Sequence, residues 1–245
     1  MTQFFVGTAG WSYLQWEKEF YPPGLRGDGK LAFYAGRLNA VELNNSFYRA
    51  PTADQLTKWA SKVPTSFRFA IKAPRVITHI QRLQKTEGAL SALLETLGKC
   101  KMGGPLFFQL PPVFPLDLER LADFITRLPP GPRYAMEFRD PRWHLKEVYD
   151  LLRRHKIAFC LFDTVEGKSP RLQTTDFAYV RLRGRTGPKL DLFLRGWKNW
   201  LIANTVTAYV FFDNREEKNL AFGNALRFAE LAGTYTSESK NKAKK

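Results

Sequence analysis

Hydrophobic runs in this chain repeatedly end on polar residues of types that handle protons and bind anions. Val41 and Leu43 alternate with Glu42 and Asn44. Side chains alternate across a strand, so the two polar residues share a face. The same alternation gives Lys72, Gln109, Glu137 with Arg139, Asp163, Arg181 with Arg183, and Asp213 at the ends of later runs. A carboxylate inside a core is costly unless it is paired or functional. Glu42 and Glu137 are the best pair for general acid–base work, one as acid and one as base, with Asp163 and Asp213 as further acids. Lys72, Arg75, Arg139, Arg181 and Arg183 form a cationic set whose guanidiniums match phosphate or carboxylate geometry. Asn44 and Gln109 add amide contacts to the same anion. A buried plug of mutually neutralised charges is the alternative, and buried ion pairs rarely improve on apolar packing. A ligand site is therefore the stronger reading.

These residues need a scaffold that brings many strand ends together. Strand-like runs occur at Phe4–Ala9, Val41–Asn44, Phe67–Lys72, Pro105–Gln109, Tyr134–Phe138, Ala158–Asp163, Phe177–Arg183 and Ala208–Asp213. Helical patterns lie between them. Thr52 and Gln55 form a capping box ahead of Leu56, Trp59, Ala60 and Val63. Leu90, Leu93, Leu94 and Leu97 repeat the spacing up to Gly98, and Asp117 caps a helix carrying Leu118, Leu121, Ile125 and Leu128. Further helices are expected near 30–38, Leu145–Arg154, Leu192–Ala203 and Ala221–Ala232. The polar link at 164–176, with Gly167 and Pro170, predicts an irregular or missing helix between the sixth and seventh strands. Eight strands alternating with helices read as an α/β fold, a single parallel (β/α)8 TIM barrel over 1–235, with a basic disordered tail at 236–245. In such barrels the carboxyl ends of the strands carry the active site.

Around that mouth, His79 and His144 follow strands and could swing over it, while His155 reads as ordinary surface. Trp11, Tyr48 and Trp143 are the aromatics best placed by sequence to stack on a ligand. The three histidines show no HxH or HExxH spacing, so no tightly bound metal is expected, and a weakly held divalent cation on Glu42, Asp163 and Asp213 stays open. No GxGxxG or GxxxxGK[ST] loop supports NAD or ATP, and no cofactor is expected.

The formal charge is +15, of which the tail supplies four Lys against one Glu, leaving +12 on the remainder. Such a balance favours an anionic partner, either a small molecule or nucleic acid, with solubility or a lineage-wide bias towards Lys and Arg as the equal alternative. Two cysteines cannot make a disulfide framework, no apolar run spans a membrane, and the amino terminus enters a strand without a leader-like segment. A soluble, cytoplasmic protein with reduced thiols is expected.

Seven segments in order carry a family resemblance: GTAGWS at 7–12, FYP at 20–22, VELNNSFYR at 41–49, FRFAIKAPRVITH at 67–79, GPLFFQLPP at 104–112, MEFRDPRW at 136–143 and YVRLRG at 179–184. Together they resemble the YecE-like family, domain of unknown function 72. The resemblance implies a TIM barrel and carries no established activity. The likeness of such barrels to endonuclease IV and sugar-isomerase barrels implies nucleic-acid binding by analogy only. Arg183 stands where RLHG-like members have His, and Asp213 where Asn is usual, so no role resting on that histidine carries over.

Overall fold

The structure, a computed structural model, describes residues 1–245 other than 18, 101, 184–185, 214–219 and 236–245. The tail expected to be disordered lies outside the described residues. Each expected strand is present: β1 (Gln3–Thr8), β2 (Ala40–Leu43), β3 (Arg68–Lys72), β4 (Gly103–Gln109), β5 (Tyr134–Glu137), β6 (Ile157–Thr164), β8 (Phe177–Leu182) and β9 (Thr207–Phe212). All eight pair in parallel, in the order β1-β9-β8-β6-β5-β4-β3-β2. The described residues hold seven α-helices: α1 (Asp28–Ala35), α2 (Ala53–Ala60), α3 (Glu87–Gly98), α4 (Leu118–Thr126), α5 (Lys146–Arg154), α6 (Leu190–Asn204) and α7 (Leu220–Ala232). Between β6 and β8 the chain makes no helix. It turns back as a two-residue antiparallel strand, β7 (Gly167–Lys168), and Thr174 then fastens it by bonding the Phe159 N–H and the Ile157 carbonyl.

Local chemistry explains the helix starts. Thr52 accepts a hydrogen bond from the Gln55 N–H at 3.2 Å, and Asp117 accepts from the Arg120 N–H at 2.9 Å. Gly233 follows α7 at φ 73°, a conformation that favours glycine. α3 runs through Gly98 and is capped by Lys99 in a right-handed conformation, so that glycine does not act as a left-handed stop.

The ring closes between β1 and β2 with few ladder bonds. Ala9 bridges Glu42, and the Gly10 N–H donates to the Glu42 carbonyl at 2.8 Å. Below that, side chains replace the ladder. The Asn39 amide accepts from the Val6 N–H at 2.7 Å and donates to the Phe4 carbonyl at 2.9 Å. The Tyr34 hydroxyl accepts from the Thr8 N–H at 2.8 Å and donates to the Ala40 carbonyl at 3.0 Å. A Cβ on Gly7 would sit 1.9 Å from the Ala40 oxygen, so only glycine permits this approach.

Inside the ring, small residues on four strands (Ala40, Ala70, Ala135, Ala158) make room for Phe5, Phe107, Phe177, Tyr179, Tyr209 and Phe211. A separate and larger apolar shell lies between strands and helices. The interior is therefore a filled core, and polar groups enter it only where the inward parity reaches the strand ends.

Candidate functional site

Arg181, on the inward parity of β8, is 2% exposed and forms the centre of the mouth. Its Nε and Nη2 donate to the two oxygens of Glu42 at 3.1 Å each. Nη1 donates to Glu137 Oε2 at 3.0 Å, and Nη2 also reaches Asp213 Oδ2 at 3.0 Å. One guanidinium thus ties β2, β5, β8 and the residue after β9. Further donors surround the carboxylates. Tyr179 donates to Glu42 Oε2 at 2.7 Å, while Gln109 Nε2 and Arg139 Nε donate to Glu137 Oε1 at 2.7 and 2.8 Å. Lys72 Nζ donates to Gln109 Oε1 at 2.8 Å and lies 4.2 Å from the Phe47 ring centroid.

This packing sets the proton affinities. Burial alone raises the Glu137 carboxyl, but the Arg181 and Arg139 guanidiniums outweigh it and hold the group at about 2. Burial and the adjacent carboxylates push the Arg181 guanidinium in opposite directions, and the carboxylates prevail, raising it. Burial and the Glu42 charge raise the Tyr179 phenol, and burial with Glu137 raises the Cys160 thiol. Around neutral pH the cluster is therefore an ionised guanidinium and Glu137 beside a neutral phenol and a neutral thiol.

Above it, a single π-helical turn, Val76–Ile80, carries His79 beside Phe47, ring centroids 4.8 Å apart. Such turns often mark functional sites. Thr78 Oγ1 lies 2.8 Å from His79 Nδ1. Burial lowers the imidazole, and the charges of Lys72, Arg75, Arg139 and Arg82 lower it further, to about 4. His79 is thus neutral at physiological pH in a field of four cations. The chain that follows is strained, with Arg82, Leu83 and Lys85 all at positive φ.

The structure therefore brings together Glu42, Lys72, Gln109, Glu137, Arg139, Arg181 and Asp213. Asn44 is half-buried at the same rim, and its Oδ1 has no hydrogen-bond partner among the described residues. Arg75 and Tyr48 are exposed, and Arg183 pairs with Glu166. Two expectations are corrected. Asp163 pairs in register with Leu182, while Phe162 pairs with Arg181, so Asp163 takes the outward parity and is not among the carboxylates on Arg181. Trp143 is fully buried, stacked between Phe114 and Phe138, with its indole N–H on the Phe114 carbonyl at 2.8 Å. It anchors the loop and cannot meet a ligand. Trp11 is half-buried against Trp59, and His144 donates its Nε2–H to the Phe138 carbonyl at 3.0 Å. Among the described residues no group of three or more His, Cys, Asp or Glu is placed to hold a metal ion, and no helix is long and apolar enough to cross a membrane.

Tyr179 and Cys160 were not foreseen as partners of the carboxylates. For Tyr179 the signal was available, because it shares the parity of Arg181; for Cys160 the inward phase follows only from its pairing with Tyr179.

Comparison with known proteins decides the lineage. The family described as "Protein of unknown function DUF72" matches residues 5–245. This chain belongs to the DUF72 family. UPF0759 protein YecE of Escherichia coli (strain K12) is 28% identical over 144 residues, 58% of this chain and 50% of that protein. UPF0759 protein YunF of Bacillus subtilis (strain 168) is 28% identical over 159 residues, 60% of this chain and 54% of that protein. This chain's matches thus span about half the length of these relatives. A DUF72 family protein (TM1631) from Thermotoga maritima MSB8 superposes with a TM-score of 0.73 at 26% identity, covering 94% of this chain and 99% of its own. A DUF72 family protein (EF0366) from Enterococcus faecalis V583 reaches 0.76 at 18% identity, covering 94% and 96%, which speaks for the fold alone.

Proposed function

We propose that this DUF72 barrel is an enzyme acting on an anionic substrate, a phosphate ester such as a nucleotide or nucleic acid, bound at the carboxyl-end mouth. The observation that carries this reading is the setting of His79, whose imidazole is lowered to about 4 first by burial and then by the charges of Lys72, Arg75, Arg139 and Arg82. Four cations converging on one position attract a phosphate. Lys72, Arg75 and Arg139 hold the anion, with Asn44 and Gln109 as amide contacts and Tyr48 at the rim. Glu42 or Glu137 handles the proton. In the ligand-free protein Glu137 is committed to Arg181 and Arg139. A phosphate that takes the Arg139 guanidinium removes one of those counter-charges and raises the proton affinity of Glu137, which is what a general acid or base requires.

The test is turnover of a panel of phosphate monoesters, diesters and nucleotides by the parent, Glu42→Gln and Glu137→Gln, with folding checked by circular dichroism. Loss of turnover in at least one folded variant supports the reading. Equal turnover by all three refutes a catalytic carboxylate. A non-catalytic nucleic-acid-binding barrel is the second reading, favoured by the net charge of +15. It predicts binding that weakens steeply with added salt and survives both substitutions.

A further inference from the structure

A cavity of about 680 Å³ lies at the opposite end of the barrel from the ionised cluster. Its walls include Gln3 and Arg68, which begin β1 and β3, together with Gly103, Gly104 and Arg133 at the starts of β4 and β5. A second cavity of about 390 Å³ shares Gln3, Phe5 and Arg68 with it. The volume falls in the range of small-molecule sites, roughly 300–1,000 Å³. Its origin is visible in the sheet. β3 and β4 shift register between Phe69 and Ile71, and a Cβ on Gly104 would lie 2.4 Å from the Phe69 oxygen. Gly103, at φ 68°, packs directly on the Arg68 side chain. An irregular strand entry thus leaves space that the inner aromatics do not fill.

The lining has a definite chemistry. Among the described residues its lining contains no Asp or Glu, and most of it is apolar, with Leu94, Leu97, Met102 and Leu106 contributing. The charged residues among them are two arginines, joined through the aromatic floor. Arg68 lies 5.2 Å over Phe5, Phe5 stacks on Tyr209 at 5.0 Å, and Arg133 Nη1 donates to the Tyr209 hydroxyl at 3.1 Å. Arg68 otherwise donates to the Thr65 and Phe67 carbonyls. Neither arginine has an acidic partner among the described residues, in contrast to Arg181. A guanidinium without a carboxylate, at the edge of an apolar cavity, is the arrangement that selects an anionic head on an apolar body.

We infer that the amino-terminal cavity binds a small organic carboxylate with an apolar body, its head between Arg68 and Arg133 and its body against the Leu97–Met102 wall. This site is separate from the mouth and does not rest on the function proposed there.

Titration calorimetry with 2-naphthoate, and with its neutral analogue 2-naphthamide, tests the inference. One equivalent of naphthoate binds the parent. The naphthamide, and naphthoate with the Arg68→Met/Arg133→Met variant, bind about tenfold more weakly or worse, the loss expected for charge-assisted hydrogen bonds. Lys72→Met, at the mouth, leaves naphthoate affinity unchanged. Equal affinity for the acid and the amide, undiminished binding by the double variant, or loss of binding in Lys72→Met overturns the inference. Should the double variant not fold, the parent supplies a second readout. Cys100 lines the cavity, whereas Cys160 is fully buried, so iodoacetamide reports on Cys100. Naphthoate slows that alkylation and naphthamide at the same concentration does not. Alkylation unaffected by millimolar naphthoate also overturns it.

Discussion

The two ends of this barrel use arginine in opposite ways. At the mouth, Arg181 is buried against Glu42, Glu137 and Asp213, and its charge is more than matched by its neighbours. At the floor, Arg68 and Arg133 rest on aromatic rings and donate to carbonyl or phenol oxygens. The first arrangement cross-links strands that are far apart in sequence, and removing the hub leaves several buried charges uncompensated. The second leaves each arginine near the surface with its charge unanswered. Charge at the mouth therefore contributes to architecture before it contributes to binding, and the reverse holds at the floor.

The substitution Arg181→Met breaks this comparison most severely. It removes the guanidinium shared by three interior carboxylates, of which Glu137 keeps Arg139, and loss of one partner from a buried ion pair costs about 3–5 kcal/mol. The urea midpoint should fall by a corresponding amount, or the chain should fail to fold. A midpoint within error of the parent means that the cluster is hydrated and is not a structural hub.

Glu137→Gln comes next, with an expected loss of about 1–3 kcal/mol from a charged hydrogen-bond partner. Its pH dependence is the sharper reading. The folded carboxyl sits at about 2 against an ordinary value of 4.5. The depressed group stabilises the fold above pH 4.5, and that contribution is lost as pH falls through the window down to about 2. The parent should therefore lose stability across this window more steeply than the variant. Parallel curves contradict the depressed value.

At the other end, Arg133→Met should change stability by less than about 0.5 kcal/mol, as is usual for an exposed position without a buried network. Arg133 is exposed, and its one side-chain hydrogen bond among the described residues is to Tyr209. A loss approaching that of Arg181→Met removes the distinction between the two ends.

Most of the hub was legible because strand parity is a local property. Glu42, Lys72, Gln109, Glu137, Arg181 and Asp213 each end an apolar run on the inward parity, and a closed parallel ring does the rest. Asp163 was misplaced by one residue. In Ile157–Thr164 every position down to Phe162 is apolar or Cys, so alternation gives no phase; the register against β8 sets it. Trp143 was misread because a loop aromatic after Pro141 gives no local sign that Phe114, 29 residues earlier, forms its socket. The Asn39 and Tyr34 stitches across β1 and β2 are long-range for the same reason. A side chain that substitutes for a ladder bond has no periodic signature.

The smallest effect is also the most direct measure of whether the mouth has charge to spare. Burial and four neighbouring cations hold His79 at about 4, below its ordinary 6.5. As pH falls, the unfolded chain takes up this proton first, so the contribution present above 6.5 is lost as pH passes down through about 4. In an NMR titration His79 should stay neutral to near pH 4. Adding inorganic phosphate places negative charge among Lys72, Arg75 and Arg139, which favours the imidazolium and moves the His79 midpoint upward. The same phosphate should leave Arg133→Met indistinguishable from the parent at His79, because the floor is a separate site. A His79 midpoint that saturating phosphate does not move means that the mouth's cations are fully occupied by its own carboxylates, and anion binding then belongs to the floor alone.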